Sequence, residues 1–472
     1  MAQLFRGGFI CVSSEGSHLL EEGTRETTKC WLPVLLPGAH LLVDPETPVC
    51  EVASGADSVR ILGDVFSLDG RSISEIATEM LRAETDDSEF ACLDALSGRF
   101  CLIRQKASQL RFYHDAFGAR SLFYHAERGV VALASHAALI ATTLGLSTDV
   151  RSEKLVGVYE YTKRIVKYLP GDWTMFQDVY ALIPNNYFDW SAGRPVRYWP
   201  RRSLPSATLE QFALIADEYL STFSAFLRGR RPILGITGGI DSKGLMAAFR
   251  YYDLPFDGVT WSDPYLRRGE RPVIEALQPF VTGDYTWLRF KPHRQGDPIA
   301  HIANENVGFY RGLASPRLLT VHMQDLAKPG AVFIRGYGGE IMRGFYNTFP
   351  HPIPAYEPQH FARAYGTSGS TTFYTKASLA AAEGFWDRAN YAGIAPLGYD
   401  PNDLFYWEQR MGCWGSAMLN EMDPAMYSVV GYNSRPLFEA AFGLDPSIRL
   451  NKGLIAHLIE RYDPAMSAVP VV

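Results

Sequence analysis

A chain of 472 residues is too long for one ordinary hydrophobic core and predicts two or three domains. With 47% hydrophobic and 20% charged residues, the composition is globular and excludes a fibrous or disordered protein. The net charge of -6, with both signs mixed along the chain, provides no basic face, so no nucleic-acid partner is expected.

The cysteines and the apolar stretches indicate the compartment. The chain has six cysteines and no C-x-x-C pair, which argues against a disulfide framework and against a zinc site. The first residues lack the charged-then-apolar order of a secretion signal. The most apolar long stretch, residues 130–146, is broken by Ser135 and His136 and is too short to span a bilayer. We therefore expect a cytoplasmic protein with no membrane partner.

Residues 1–190 predict an α+β region with a sheet core. Short apolar runs separated by Gly, Asp and Ser are typical of strands. Helical periodicity at residues 73–81 and 137–143 lies among or after these runs. The predicted strands are residues 8–12, 99–103, 110–113, 122–124 and 130–134.

A Pro-, Ser- and Arg-rich stretch at residues 191–207 has linker composition and predicts a domain boundary. After it, strands and helices alternate, which favours a parallel sheet covered by helices. From about residue 400 the chain is mainly helical. The predicted strands are 233–236, 258–261 and 332–335, and the predicted helices are 209–227, 241–251, 272–279, 404–419, 434–442 and 452–462.

The loop of residues 237–242, T-G-G-I-D-S, follows an apolar run and leads into a helix. Consecutive glycines let a backbone approach a ligand, and the N–H groups at a helix start attract phosphate. A carboxylate here suits a Mg²⁺ ion that bridges phosphate oxygens. The loop is neither G-K-[ST] nor G-x-G-x-x-G, and a glycine turn without a ligand is the alternative. The candidate nucleotide-binding residues are Ile236, Thr237, Gly238, Gly239, Asp241 and Ser242.

T-G-G-I-D-S closely resembles the S-G-G-x-D-S loop of the N-type ATP pyrophosphatases, which cleave ATP between its α and β phosphates and adenylate a carboxylate or carbonyl. Residues 336–346, G-Y-G-G-E-I-M-R-G-F-Y, follow the strand-like run 332–335. They resemble G-E-G-A-D-E-L-F-G-G-Y of the asparagine-synthetase branch. The resemblance implies ATP and Mg²⁺ as cofactors, with Gly338 also at the nucleotide.

Two departures from the second motif affect the implied chemistry. The family's metal-binding Asp falls on Glu340, so the resemblance implies Mg²⁺ ligation by Asp241 and Glu340. The family's first Glu falls on Tyr337. In the related β-lactam and carbapenam synthetases that position is a Tyr that works with a nearby Glu as the base. Tyr337 therefore resembles the catalytic Tyr of the ring-forming relatives, and a packed aromatic is the alternative.

Two further candidates lie later in the chain. Glu408, in the segment where the family has its substrate helix, is the candidate partner of Tyr337, with a solvated or paired glutamate as the alternative. Arg410 could hold a substrate carboxylate or pair with a neighbour. Residues 450–455 resemble the family segment T-K-x-x-L-R without its final Arg. The match implies that Lys452 stabilises the adenylation transition state; an exposed lysine is the alternative.

The first half resembles the family's glutaminase domain, an N-terminal-nucleophile fold with αββα layers. The matching segments are L-S-G-R-F at residues 96–100 and H-D-A-F-G-A-R-S-L-F-Y at residues 114–124. An active glutaminase of this type needs Cys after the initiator Met, and this chain has Ala2. We expect residues 1–195 to form a glutaminase-like domain without the nucleophile, and residues 206–472 to form an ATP-pyrophosphatase synthetase domain.

The resemblance implies a carbon–nitrogen ligase that adenylates a carboxylate, releases pyrophosphate and forms an amide with a substrate amine. The partner is then a small molecule or peptide that carries a carboxylate and an amine. Ring closure, as by a cyclase in natural-product biosynthesis, is compatible with this reaction. The sequence does not decide whether the chain forms a homodimer. The alternatives are a catalytically silent scaffold and an ammonia-dependent asparagine synthetase.

Overall fold

The structure is a computed structural model, and it describes most of the chain. The described residues are 3–23, 27–158, 161–162, 164, 166–262, 266, 269–289, 296–308, 319–349, 352–367 and 375–472. Ala2, on which the expected loss of glutaminase activity depends, lies outside them.

The N-terminal half contains two six-stranded antiparallel sheets, ordered β10-β8-β9-β1-β3-β2 and β12-β11-β7-β6-β5-β4. The strands are β1 (Phe9–Ser13), β2 (Leu32–Leu36), β3 (Ala39–Val43), β4 (Val49–Ser54), β5 (Asp57–Ser67), β6 (Leu96–Lys106), β7 (Gln109–His114), β8 (Leu122–Glu127), β9 (Val130–Ala134), β10 (Tyr180–Leu182), β11 (Asn186–Asp189) and β12 (Arg194–Arg197). The helices are α1 (Ser17–Gly23), α2 (Ile73–Arg82), α3 (Asp86–Asp94), α4 (Ala137–Leu144) and α5 (Val150–Gly157).

The two sheets lie face to face between helical layers. Side chains alternate across β1: Phe9 and Cys11 join the core between the sheets, which also contains Ile103 and Phe112 of the second sheet. Ile10 and other residues on the opposite face pack with α4. Helices α2 and α3 pack on the second sheet. Since both faces of β1 are covered, all five of its residues are buried. The half is therefore the predicted αββα sandwich.

The C-terminal half is built on a five-stranded parallel sheet. Its strands are β13 (Arg231–Gly235), β14 (Asp257–Trp261), β15 (Tyr285–Leu288), β16 (Ala331–Arg335) and β17 (Ser428–Val430). Its helices are α6 (Leu209–Leu227), α7 (Ile240–Tyr251), α8 (Glu270–Leu277), α9 (Pro298–Asn306), α10 (Leu319–Met323), α11 (Gly339–Met342), α12 (Pro358–Thr367), α13 (Lys376–Arg388), α14 (Pro401–Phe405), α15 (Ser416–Met422), α16 (Arg435–Phe442), α17 (Pro446–Leu450), α18 (Gly453–Tyr462) and α19 (Pro464–Ser467).

The order of the parallel sheet positions the site. It runs β15-β14-β13-β16-β17, and β13 pairs with both β14 and β16. Phe333 of β16 packs into one apolar layer, and Ile334 packs into the other. In a parallel sheet the loops after neighbouring strands meet at the carboxyl edge. The predicted fold class, α+β followed by α/β, is confirmed.

Two of the predicted segments differ from the structure. The predicted linker at residues 191–207 contains β12, which pairs with β11 and ends at Arg197. The helix predicted at 404–419 is divided, because residues 406–415 form a π-helix between α14 and α15. A period of 3.6 residues in the sequence does not reveal this wider turn. No helix in the described ranges is long and apolar enough to cross a membrane.

Candidate functional site

The glycine loop lies where predicted, between β13 and α7. The Thr237 amide donates to Ser242 Oγ at 3.3 Å, and the Gly239 amide donates to Thr237 Oγ1 at 3.2 Å. The Gly238 amide donates to a carboxylate oxygen of Glu270 at 3.0 Å. A carboxylate therefore binds one of the N–H groups that the sequence assigned to phosphate, which is consistent with an anion-binding loop.

The structure brings the two glycine motifs into contact. A Cβ at Gly336 would lie 3.2 Å from the Ser242 amide nitrogen, and one at Gly339 would lie 2.3 Å from Asp241 Oδ1. Gly338 has a φ of 95°, and a Cβ there would lie 2.1 Å from a backbone oxygen. Only glycine fits positions that combine such close approach with positive φ. The glycines of the second motif therefore allow its backbone to lie against the start of α7.

Asp241 and Glu340 are close enough to interact electrostatically, but Asp241 has a partner that the sequence analysis missed. Arg343 donates to both Asp241 carboxylate oxygens, at 3.1 and 3.0 Å. Glu340 Oε2 is buried and has no hydrogen-bond partner among the described residues. Burial first, and then the negative charge of Asp241, raise the pKa of Glu340 to about 7. Two acidic groups at close range, one with an unsatisfied oxygen, fit a Mg²⁺ site.

A bound cation would have to share Asp241 with Arg343 or displace it. No group of three or more His, Cys, Asp or Glu side chains suited to a metal occurs in the part of the chain that the structure describes. Mg²⁺ usually keeps several waters and takes one or two protein carboxylates plus substrate phosphates. A pair of carboxylates is therefore a sufficient protein contribution to such a site.

The raised pKa of Glu340 predicts a pH dependence of stability for the metal-free protein. The pKa is about 7 in the folded chain against an ordinary 4.5, so the folded state binds this proton more tightly. Stability should therefore fall by about 1–3 kcal/mol as the pH rises from about 4.5 to about 7, and then level off. Thermal unfolding in chelator across this range measures it. Glu340→Gln should remove this part of the slope, and an identical slope in both proteins would contradict the assignment.

Lys452 lies at the same end of the domain as the glycine loop. Helices α7 and α18 run side by side in one direction: a Cβ at Gly244 would lie 2.8 Å from Ile455, and Arg250 pairs with Asp463 at 2.7 Å. The start of α18 is therefore beside the start of α7. Lys452 precedes α18 with a φ of 63°, a left-handed conformation that costs a non-glycine residue about 1 kcal/mol.

The neighbours of Lys452 also contact the second motif. The Arg449 guanidinium donates to the Met342 backbone oxygen at 3.1 Å, and Leu450 lies 2.8 Å from where a Cβ at Gly344 would stand. The Lys452 side chain makes no hydrogen bond or ion pair with any described residue. Lys452 therefore follows residues that contact the second motif and precedes a helix that starts beside α7.

Tyr337 and Glu408 are not brought together. The Tyr337 oxygen accepts from Arg335 at 2.9 Å, and its ring stacks on Phe117 with centroids 6.3 Å apart. Glu408 is fully buried and accepts both arms of the Arg197 guanidinium at 2.7 and 2.8 Å. Its oxygens also accept from two further side chains, Asn185 at 2.8 Å and Tyr391 at 2.6 Å. This corrects the assignment of Glu408 as the base partner, since its carboxylate joins the two halves of the chain.

Three residues of the site were missed by sequence reasoning. Arg343 lies inside the second motif, but the motif match does not assign it a contact with Asp241. Glu270 contacts the loop from a distant helix, and no local pattern marks it. The Tyr432 hydroxyl donates to the backbone carbonyl oxygen of Asp241 at 3.0 Å. The Tyr432 amide donates to the backbone carbonyl oxygen of Tyr337 at 3.1 Å. Tyr432 thus joins both motifs, although it is distant from them in the sequence.

The comparisons with known proteins assign no family. No family model matches the chain, and no curated protein matches it. Solved structures give weak likenesses. Glutamine phosphoribosylpyrophosphate amidotransferase from B. subtilis, complexed with ADP and GMP, has a TM-score of 0.24 and 9% identity, over 72% of this chain and 72% of that one. An allosteric regulatory enzyme of purine biosynthesis has a TM-score of 0.25 and 10% identity, over 80% and 85%. These scores give no basis for an activity, and membership of the asparagine-synthetase family stays a prediction.

Proposed function

We propose that the chain is an ATP-dependent, AMP-forming synthetase that adenylates a substrate carboxylate and joins it to an amine of the substrate. The observation that carries the proposal is the meeting of the two glycine motifs, with Asp241, Glu340 and Lys452 at one edge of the parallel sheet. Such an edge, with a helix N-terminus, is a general site for phosphates.

Different groups of the site have different roles in the proposed reaction. The amides of the glycine loop and the start of α7 would bind phosphate oxygens. Mg²⁺, held by Asp241 and Glu340, would offset the charge of the pyrophosphate that leaves. The substrate carboxylate attacks the α phosphorus, the bond to the β phosphate breaks, and Lys452 stabilises the added negative charge. The amine would then attack the acyl carbon of the adenylate, the bond from that carbon to the AMP oxygen would break to release AMP, and Tyr337 would accept or relay the proton of the amine.

ATP–pyrophosphate exchange with a panel of carboxylic acids tests this function. Exchange that requires both an acid and Mg²⁺ supports it. If Mg·ATP does not bind the full chain at all, the synthetase proposal is overturned. Glutamine should not be hydrolysed, because we propose that the amine comes from the substrate; measurable glutaminase activity would refute that part.

A catalytically silent scaffold is the second candidate, and one observation favours it. The chain's own groups already occupy two parts of the site: Glu270 accepts from the Gly238 amide, and Arg343 holds Asp241. In a scaffold these contacts would be permanent. In an enzyme the bound nucleotide must replace these contacts. Binding of Mg·ATP would therefore support the enzyme, and its absence would support the scaffold.

Replacing Glu270 by glutamine should strengthen Mg·ATP binding by about fivefold to tenfold, which is about 1 kcal/mol. The substitution removes a negative charge from the loop amide but keeps the shape of the side chain. Isothermal titration of the full chain measures the dissociation constant. Glu275→Gln, on the same helix but paired with Arg271 at the surface, is the matched control and should leave it unchanged. Weaker binding in Glu270→Gln would mean that Glu270 supports the nucleotide site.

A further inference from the structure

A cavity of about 400 Å³ lies between the two halves of the chain. Its wall includes Gly7 and Arg120 of the N-terminal half and Arg230 and Tyr427 of the C-terminal half. Residues 330–332, at the start of β16, also line it, whereas the second glycine motif follows the end of that strand. The cavity, which we name the interdomain cavity, therefore lies at the opposite edge of the parallel sheet from the proposed adenylation site.

The charged side chains of the interdomain cavity do not balance. The described residues of its wall include four arginines and three carboxylates. Each carboxylate pairs with one arginine: Arg6 with Glu46 at 2.6 Å, Arg99 with Asp423 at 2.6 Å, and Arg230 with Asp64 at 2.8 Å. Arg120 has no carboxylate oxygen within 4.0 Å in the part of the chain that the structure describes. The wall therefore carries one positive charge without a counter-ion.

Arg120 is deeply buried, with 3% of its surface exposed. Its Nη1 donates to the Gly7 backbone oxygen at 2.8 Å. Its Nε is buried without a hydrogen-bond partner, and its Nη2 donates to no described residue. Burial first, and then the positive charge of Arg99, lower the pKa of Arg120. Because a charge removed from water is costly without a counter-ion, an anion beside Arg120 would relieve an unfavourable arrangement.

The unused nitrogens of Arg120 form the edge of a guanidinium that matches a carboxylate. Two parallel N–H groups, from Nε and Nη2, point from this edge. Arg388 uses the same two nitrogens to donate to the two oxygens of Asp172, at 2.6 and 2.5 Å. The Thr47 hydroxyl, also in the wall of the cavity, is a second buried group without a hydrogen-bond partner among the described residues. Unsatisfied buried groups beside a cavity indicate a ligand or solvent that would satisfy them.

The charge and the size of the interdomain cavity select the class of ligand. One unpaired positive charge is neutralised by a monoanion, whereas a dianion would leave an excess of negative charge. A volume of about 400 Å³ leaves room for an organic group beside the carboxylate. An amino acid fits less well, because its ammonium group would face carboxylates that already pair with Arg99 and Arg230.

We propose that the interdomain cavity binds a small organic acid, with one carboxylate and no ammonium group, on the Nε–Nη2 edge of Arg120. Both halves of the chain line the cavity, so the bound acid would contact both and stabilise the folded chain. This acid is distinct from the one that is adenylated, since the two glycine motifs lie at the other edge of the parallel sheet. The proposal does not rest on the proposed function.

Butyrate, its neutral analogue butyramide and the zwitterion 2-aminobutyrate test the cavity on the full chain. The buffer contains no nucleotide and no chloride, and its ionic strength is constant. Butyrate should bind saturably and raise the midpoint of thermal unfolding, because it binds the folded chain. The other two probes should bind at least tenfold more weakly, as ligand-observed NMR measures. The proposal is overturned if butyrate does not bind saturably, or if either analogue binds as tightly as butyrate.

Substitutions at Arg120 locate the bound butyrate. Arg120→Gln should weaken butyrate binding by at least tenfold and abolish the rise in the unfolding midpoint. Arg120→Lys should weaken it less, because a charge remains without the planar fork. Arg271→Gln, which removes a surface arginine paired with Glu275, is the matched control and should leave butyrate binding unchanged.

Unchanged butyrate binding in a folded Arg120→Gln contradicts the assignment, and circular dichroism checks the fold. If neither variant at Arg120 folds, a crystal structure of the wild-type chain with butyrate decides. Butyrate on Arg120 supports the proposal, and butyrate at other positions alone contradicts it. Failure of Mg·ATP to bind would overturn the synthetase and leave this cavity unaffected.

Discussion

Replacement of Glu408 by alanine should lower the free energy of unfolding by about 3–5 kcal/mol, because Arg197 would stay buried without its counter-ion. The pair links β12 of the N-terminal half to the π-helix of the C-terminal half, across 211 residues of sequence. Both side chains are almost completely inaccessible, at 5% and 0% exposure. Two more donors, from Asn185 and Tyr391, would lose their acceptor as well. Urea unfolding measures the change.

Two comparisons separate this structural role from the catalytic role that the sequence suggested. Glu275→Ala removes an exposed glutamate paired with Arg271 and should change stability by less than about 1 kcal/mol. Glu408→Gln keeps the shape but loses the charge, and it should also be clearly destabilised. If Glu408→Gln were as stable as the wild type but inactive in pyrophosphate exchange, Glu408 would act in catalysis after all.

The parts of the fold that the sequence predicted well are those determined locally. Helix α6 spans Leu209–Leu227, the same residues as its apolar periodicity, and Thr208 caps it. The glycine loop could be placed because a short apolar strand, a pair of glycines and a helix start are adjacent in the chain. Strand β5, Asp57–Ser67, was missed. Its residues are buried in an irregular pattern, because the strand lies between β4 and β6 in a covered sheet.

The contacts that the sequence could not predict are those between distant segments. A motif match placed Asp241 and Glu340 near each other, but it did not reveal that Arg343 binds Asp241. Glu270 approaches the loop only because β14 and the chain after it fold back beside β13. Arg197 is the partner of Glu408 because of how the two halves of the chain pack. The composition of the sequence does not indicate that packing. Local patterns therefore predicted the loop, whereas the charges around it required the structure.

Replacement of Lys452 by alanine should slow pyrophosphate exchange by about 10²–10³-fold and leave Mg·ATP binding little changed, because the proposed role is to stabilise charge that develops only in the transition state. The substitution should not lower the free energy of unfolding, because the Lys452 side chain has no partner among the described residues. The left-handed backbone conformation of residue 452 is no less favourable for alanine than for lysine. Lys376→Ala, at the start of α13, is the matched control and should leave exchange unaffected. Lys452→Arg keeps a positive charge and should retain part of the rate. Equal exchange rates for Lys452→Ala and the wild type would remove Lys452 from the mechanism, although the meeting of the two glycine motifs would still stand.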